Sequence, residues 1–101
     1  MKAVLFAAGV ALFAQPLSAA KTKANYRCDD GTRLVATFKT PPSGPGSLTL
    51  KFPSSGKKIV LPQKMSADGG RYAAKNTQFW VKGQKATLTR NGRDTTCRTK
   101  S

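Results

Sequence analysis

The chain has 101 residues, with 18 Lys+Arg against four Asp+Glu and no histidine, a formal net charge of +14. Without histidine or glutamate the commonest acid–base catalysts are missing, and two cysteines do not make a usual zinc set, so no catalytic, metal or cofactor site is expected. The excess of cations favours anionic partners or acidic surfaces.

The opening MKAVLFAAGVALFAQPLSAA has Lys2, an apolar run and then small residues. It reads as a secretory signal peptide over residues 1–20, cut after Ala20 because Ser18 and Ala20 fit the small-x-small rule. The apolar run is too short for a comfortable transmembrane span. No cysteine lies near the cut, so lipid attachment there is not expected. Residues 21–101 then form a single domain.

The rest of the chain carries short strands and no amphipathic helix. NYRC (25–28) opens the set, and RLVATF (33–38) places Leu34, Ala36 and Phe38 on one face. SLTLKF (47–52) alternates Leu48, Leu50 and Phe52 with Thr49 and Lys51. KKIVL (57–61), RYAAK (71–75), TQFWV (77–81), QKATLTR (84–90) and RDTTCR (93–98) complete about eight strands. Between them lie turn residues: Asp29-Asp30-Gly31, the Pro/Gly loop 41–46, Pro53-Ser54-Ser55-Gly56 and Asp68-Gly69-Gly70. Asn91-Gly92 between two alternating runs is the strongest hairpin signal. Many short strands at this spacing predict an all-β antiparallel barrel or sandwich.

Cys28 and Cys97 bracket most of the domain, and an even count in an exported chain reads as a disulfide. Closing so long a loop stabilises by roughly 4 kcal/mol on the loop-entropy model, which matters in so small a core. Ser54-Ser55-Gly56-Lys57 matches S-x-x-K but sits in a turn-rich loop without partner motifs, so it reads as a turn. A Ser66–Lys82 dyad has nothing nearby to serve as an oxyanion hole. Aromatics and cations are interleaved around Tyr72, Phe79 and Trp80, but no RNA-binding motif is present and no nucleic-acid partner is expected.

Four stretches in order resemble the MliC/PliC family of bacterial inhibitors of c-type lysozyme. Tyr26-Arg27-Cys28-Asp29-Asp30-Gly31 resembles its Y-x-C-x-D-G opening, and Ser66-Ala67-Asp68-Gly69-Gly70-Arg71-Tyr72 its S-A-x-G-x-x-Y stretch. Phe79-Trp80-Val81-Lys82-Gly83-Gln84-Lys85-Ala86 resembles F-W-x-K-G-x-x-A, and Cys97 stands at the closing cysteine. The resemblance implies a small antiparallel barrel of about eight strands closed by a Cys28–Cys97 disulfide. It implies a periplasmic protein of a Gram-negative bacterium that helps evade host defence, of the soluble PliC-type branch, as monomer or homodimer.

It also implies that Ser66 and Lys82 enter the lysozyme cleft and engage its catalytic carboxylates, with Gly69, Arg71, Tyr72, Trp80 and Gly83 in support. Lysine suits the task, since it carries a compact ammonium with three donors on a flexible stem. Phe79 and Val81 are expected to face the core, with Trp80 outward, Gly83 ending the strand and Lys82 projecting. Lys85 lies beyond the glycine and fits the motif less well. The other reading is a basic periplasmic module that binds anionic envelope polymers and has no enzyme target.

Overall fold

A computed structural model describes residues 20–99. The alternating runs form eight strands: β1 (Ala20–Cys28), β2 (Arg33–Thr40), β3 (Ser47–Phe52), β4 (Lys57–Lys64), β5 (Gly70–Ala74), β6 (Thr77–Lys82), β7 (Lys85–Arg90) and β8 (Arg93–Thr99). Each strand pairs antiparallel with the next, and β1 pairs with β8, so the sheet closes into an up-and-down barrel. Closure removes the free edges that a sandwich would leave.

The interior follows from the period-2 pattern. Leu34, Ala36, Leu48, Leu50, Phe52, Leu61, Phe79, Ala86 and Leu88 are buried, and no polar or charged residue is buried among those described. Tyr26 meets Phe79 edge to face at 5.1 Å between centroids. Phe79 is the largest wholly buried side chain, so truncation to alanine would cost about 3–5 kcal/mol.

Two seams are short. β1 and β8 share three register pairs, the last placing Cys28 opposite Cys97, and the disulfide joins them there. First and last strand are thus tied across the closing seam. β4 and β5 share only Gln63↔Tyr72 and Lys64↔Arg71. That open flank tolerates Pro62 inside β4, because a missing N–H matters little where few ladder bonds form.

Up-and-down order sorts the connections to two ends. Residues 29–32, 53–56, 75–76 and 91–92 turn at one end; residues 41–46, 65–69 and 83–84 turn at the other. Asn91 and Gly92 both take positive φ (52° and 80°), as a type I′ hairpin requires. Gly83 has φ 64° at the first position of the two-residue β6–β7 connection, the place a type II′ turn reserves for glycine. The Pro/Gly loop is pinned to β4: the Gly46 N–H donates to Gln63 Oε1 at 2.9 Å, and the Gln63 N–H donates to the Gly46 carbonyl at 3.0 Å.

Most strand boundaries lie within two residues of the sequence reading, with β5 ending at Ala74 and leaving Lys75 in the turn, and two differ by more. β1 begins at Ala20, five residues before Asn25, because its register with β2 continues out to Ala20↔Thr40. β4 runs on past Leu61 to Lys64 to meet β5. The expected signal peptide lies outside the described residues except for Ala20, which starts β1. No helix among the described residues is long and apolar enough to cross a membrane.

Candidate functional site

β6 alternates as its sequence predicts. Phe79 is buried, Val81 packs against the core, Trp80 lies half-buried on the outer face and Lys82 is exposed at the strand end. Gly83 then reverses the chain directly after Lys82, whose ammonium lies back over Trp80. Lys85 stands directly opposite Lys82 in register, which puts two cations at the tip.

The loop 65–69 comes up beside this hairpin. Its conformation is held by short polar side chains bonding to nearby backbone. The half-buried Ser66 hydroxyl donates to the Asp68 carbonyl at 2.6 Å and accepts from the Asp68 N–H at 3.2 Å. The Trp80 indole N–H donates to the same Asp68 carbonyl at 2.8 Å. The Asp68 carboxylate pairs with the Lys82 ammonium at 3.6 Å. That ammonium also stands 4.9 Å over the Trp80 ring, and the Arg71 guanidinium 5.8 Å over it. Arg71 in turn donates from Nε to Gln78 Oε1 at 2.8 Å and from its terminus to the Met65 carbonyl at 3.5 Å.

Ser66 and Lys82 are therefore brought into one constellation, with Asp68 and Trp80 between them. No hydrogen bond joins Ser66 to Lys82 among the described residues, so the two do not form a nucleophile–base dyad. Both are held through Asp68, Ser66 by its backbone carbonyl and Lys82 by its carboxylate.

Gly69 makes the close approach feasible. It takes φ 71°, and a Cβ there would run into the Val81 carbonyl oxygen and lie 3.0 Å from Lys82 Cγ. Any side chain would push the loop off the strand that carries Lys82. Tyr72 stands apart from this outer cluster. It packs against the core with its ring 5.7 Å from that of Phe38, and burial raises its phenol above the usual value of 10.0.

Sequence reasoning passed over two members. Asp68 reads as a turn aspartate before two glycines, yet its carboxylate holds Lys82 and its carbonyl holds Ser66 and Trp80. Met65 is 94% exposed, beside Ser66 at the loop tip. The cluster lies on the outer face at the end of the barrel where residues 65–69 and 83–84 turn. A cleft of about 1310 Å³, lined in part by Phe52, Ile59, Lys75 and Arg90, opens at the other end of the barrel.

A family model described as membrane-bound lysozyme-inhibitor of c-type lysozyme (MliC) matches residues 26–96. A protein of Cupriavidus necator named membrane-bound lysozyme inhibitor of C-type lysozyme is 32% identical over 63 residues, 62% of this chain and 48% of that protein. A protein of the same name from Pseudomonas aeruginosa is 31% identical over 64 residues, 63% of this chain and 49% of that protein. The chain thus spans about half the length of the curated relatives it matches. Among solved structures, Pseudomonas aeruginosa MliC, crystallised in complex with hen egg white lysozyme, superposes with a TM-score of 0.72 at 22% identity, covering 85% of this chain and 88% of that one. That likeness supports the fold.

Proposed function

The chain belongs to the MliC family, and from that premise we propose that it inhibits a c-type lysozyme by seating Lys82 and Ser66 in the enzyme's active-site cleft. The observation that carries the reading is the exposed Lys82 at the end of β6, buttressed by Asp68 and Trp80 beside the Ser66 loop. The solved MliC–lysozyme complex and the names of the two relatives support the choice of partner.

A c-type lysozyme works with two carboxyl groups in one cleft, one protonated and one ionised. An ammonium delivered between them makes charge-assisted hydrogen bonds where water is scarce, and these are stronger than at an open surface. The Ser66 hydroxyl can donate and accept in the same network. Its donor serves the Asp68 carbonyl in the free protein and is released for the enzyme with only a local change. The Lys82–Asp68 pair is 56% and 77% exposed, so breaking it costs at most about 1 kcal/mol. Trp80 keeps the lysine stem aimed outward, and Met65 supplies apolar contact at the cleft rim. The protein blocks the enzyme and catalyses nothing itself.

We place this activity in the periplasm. The amino-terminal apolar segment and the Cys28–Cys97 disulfide support that reading, since disulfides persist in oxidising compartments. The test is competition in the cleft. The oxidised protein should slow lysozyme clearing of a cell-wall suspension, and a soluble chitin oligosaccharide should weaken its binding competitively. Tight binding that the oligosaccharide leaves unchanged would move the contact away from the cleft. Absence of any slowing would remove the function.

A further inference from the structure

The four aspartates are unevenly placed. Asp29 and Asp30 lie in the β1–β2 turn, Asp94 in β8 and Asp68 in the β4–β5 loop. Two of them pair with nearby cations: Arg98 with Asp29 at 2.7 Å, and Lys82 with Asp68. The outer face of β1–β4 has no acid. Its strands align Lys21 opposite Lys39 and Lys51 opposite Lys58, and Arg27 opposite Arg33 further along. Like charges directly opposed across a ladder are destabilising. None of Lys21, Lys23, Lys39, Lys51 and Lys58 is in an ion pair or a side-chain hydrogen bond among the described residues. This half of the barrel therefore carries an arrangement that opposes folding and that no described residue relieves.

The register also gives the face a centre. Thr37 pairs with Thr49, with Lys23 opposite Thr37 on one side and the exposed Val60 opposite Thr49 on the other. Lys39 and Lys51 flank this row along their strands, and Lys21 and Lys58 are the cross-strand partners of those two. The five ammoniums thus ring two hydroxyls around a shallow basin of about 420 Å³. We infer that this face docks the protein on a bilayer of anionic phospholipid, with a headgroup phosphate in the basin and the surrounding lysines on its neighbours.

Three observations select a bilayer over a nucleic acid. The charges spread over four adjacent strands as a sheet of points, which matches a plane of phosphates and not a linear track. No aromatic side chain lies on the face, so bases have nothing to stack on. Val60, 59% exposed among the cations, suits the headgroup boundary. The face lies across the barrel from β6, so a docked molecule keeps the Lys82 end free.

The experiment is co-sedimentation of the oxidised protein with vesicles of phosphatidylcholine, with and without phosphatidylglycerol, at low and physiological salt. Two triple variants are compared, Lys39→Gln/Lys51→Gln/Lys58→Gln on the face and Lys75→Gln/Lys85→Gln/Arg93→Gln off it. Each lysine held at an anionic surface changes partitioning about fivefold, so the face variant should bind about a hundredfold less and the other far less affected. The face variant should also unfold at higher temperature, since the Lys51–Lys58 opposition is gone, and a folded control is thereby built in. Equal losses in both variants would reduce the effect to net charge and overturn the docking face. Tighter binding to duplex DNA than to the vesicles at equal salt would overturn the bilayer as occupant, and absence of binding to phosphatidylglycerol vesicles would overturn both.

Discussion

Asp68 holds three partners at once: Ser66 and Trp80 through its carbonyl and Lys82 through its carboxylate. The two functions separate by substitution. Asp68→Asn leaves the backbone contacts in place and removes the charge that competes with the enzyme's carboxylates for Lys82. Inhibition should tighten about threefold, measured as a fall in the inhibition constant, because an exposed pair is worth up to about 1 kcal/mol. Weaker inhibition by that variant would mean that Asp68 chiefly positions the lysine. Gly69→Ala should do the opposite, since the added methyl meets the Val81 carbonyl and φ is 71°. A loss of about 2 kcal/mol or more in stability is expected, together with a weaker inhibitor, read by denaturant unfolding and by titration. At this scale the local motifs single out Ser66 and Lys82 as candidates, and the fold brings both to Asp68. Asp68 was not legible, because its role depends on two strands and a loop meeting. Met65 was not, because no sequence pattern distinguishes an exposed methionine at a loop tip.

Among the elements, the clearest alternation gave the best boundaries: 47–52 is β3 as read. The Asn-Gly hairpin also stands where its turn chemistry puts it. Boundaries failed where polarity hides the pattern. Lys21, Thr22 and Lys23 belong to β1 through pairing with β2 alone, and β4 continues through Pro62 to meet β5 at Gln63 and Lys64. Closure between β1 and β8 is a long-range property that turn and period signals do not contain, which is why barrel and sandwich stood level on pattern alone. One turn carries visible strain. Lys75 takes φ 53° in the β5–β6 connection, a conformation that glycine or asparagine adopts more cheaply. Lys75→Gly should raise stability by about 1 kcal/mol. In a domain of this size that is roughly 4–8 °C in Tm, measured by calorimetry. An unchanged or lower Tm would mean that the unfolded chain's added freedom outweighs the relief.

For the molecule as a whole, stability should be flat across neutral pH, since the chain has no histidine. The limits come from the groups that folding perturbs. The backbone N–H and the side chain of Thr32 hold the Asp30 carboxyl below its usual 3.8. A lowered carboxyl stabilises the fold above about pH 4, and that contribution disappears as pH falls through the folded value. Burial raises Tyr26, further pushed by the charge Tyr72 would carry, and burial raises Tyr72 itself. A raised phenol keeps its contribution below about pH 10 and loses it as pH climbs beyond. Denaturant midpoints across pH should trace this plateau, with Asp30→Asn flattening the acid side. A midpoint that changes steeply near pH 6.5 would contradict it.

Charge also separates the two surfaces. Against a basic lysozyme, added salt screens repulsion between the partners and should speed association, whereas it should weaken docking on anionic vesicles.

The central claim is that Lys82 enters the lysozyme cleft, and the most direct measurement compares two lysines that face each other across one hairpin. Dissociation constants for a c-type lysozyme would be determined with the oxidised wild type, Lys82→Ala and Lys85→Ala. Interface energy concentrates in a few residues, so Lys82→Ala should weaken binding by about 30-fold or more, with Lys85→Ala within a few fold of wild type. Equal effects from the two substitutions, or wild-type affinity for Lys82→Ala, would contradict the account.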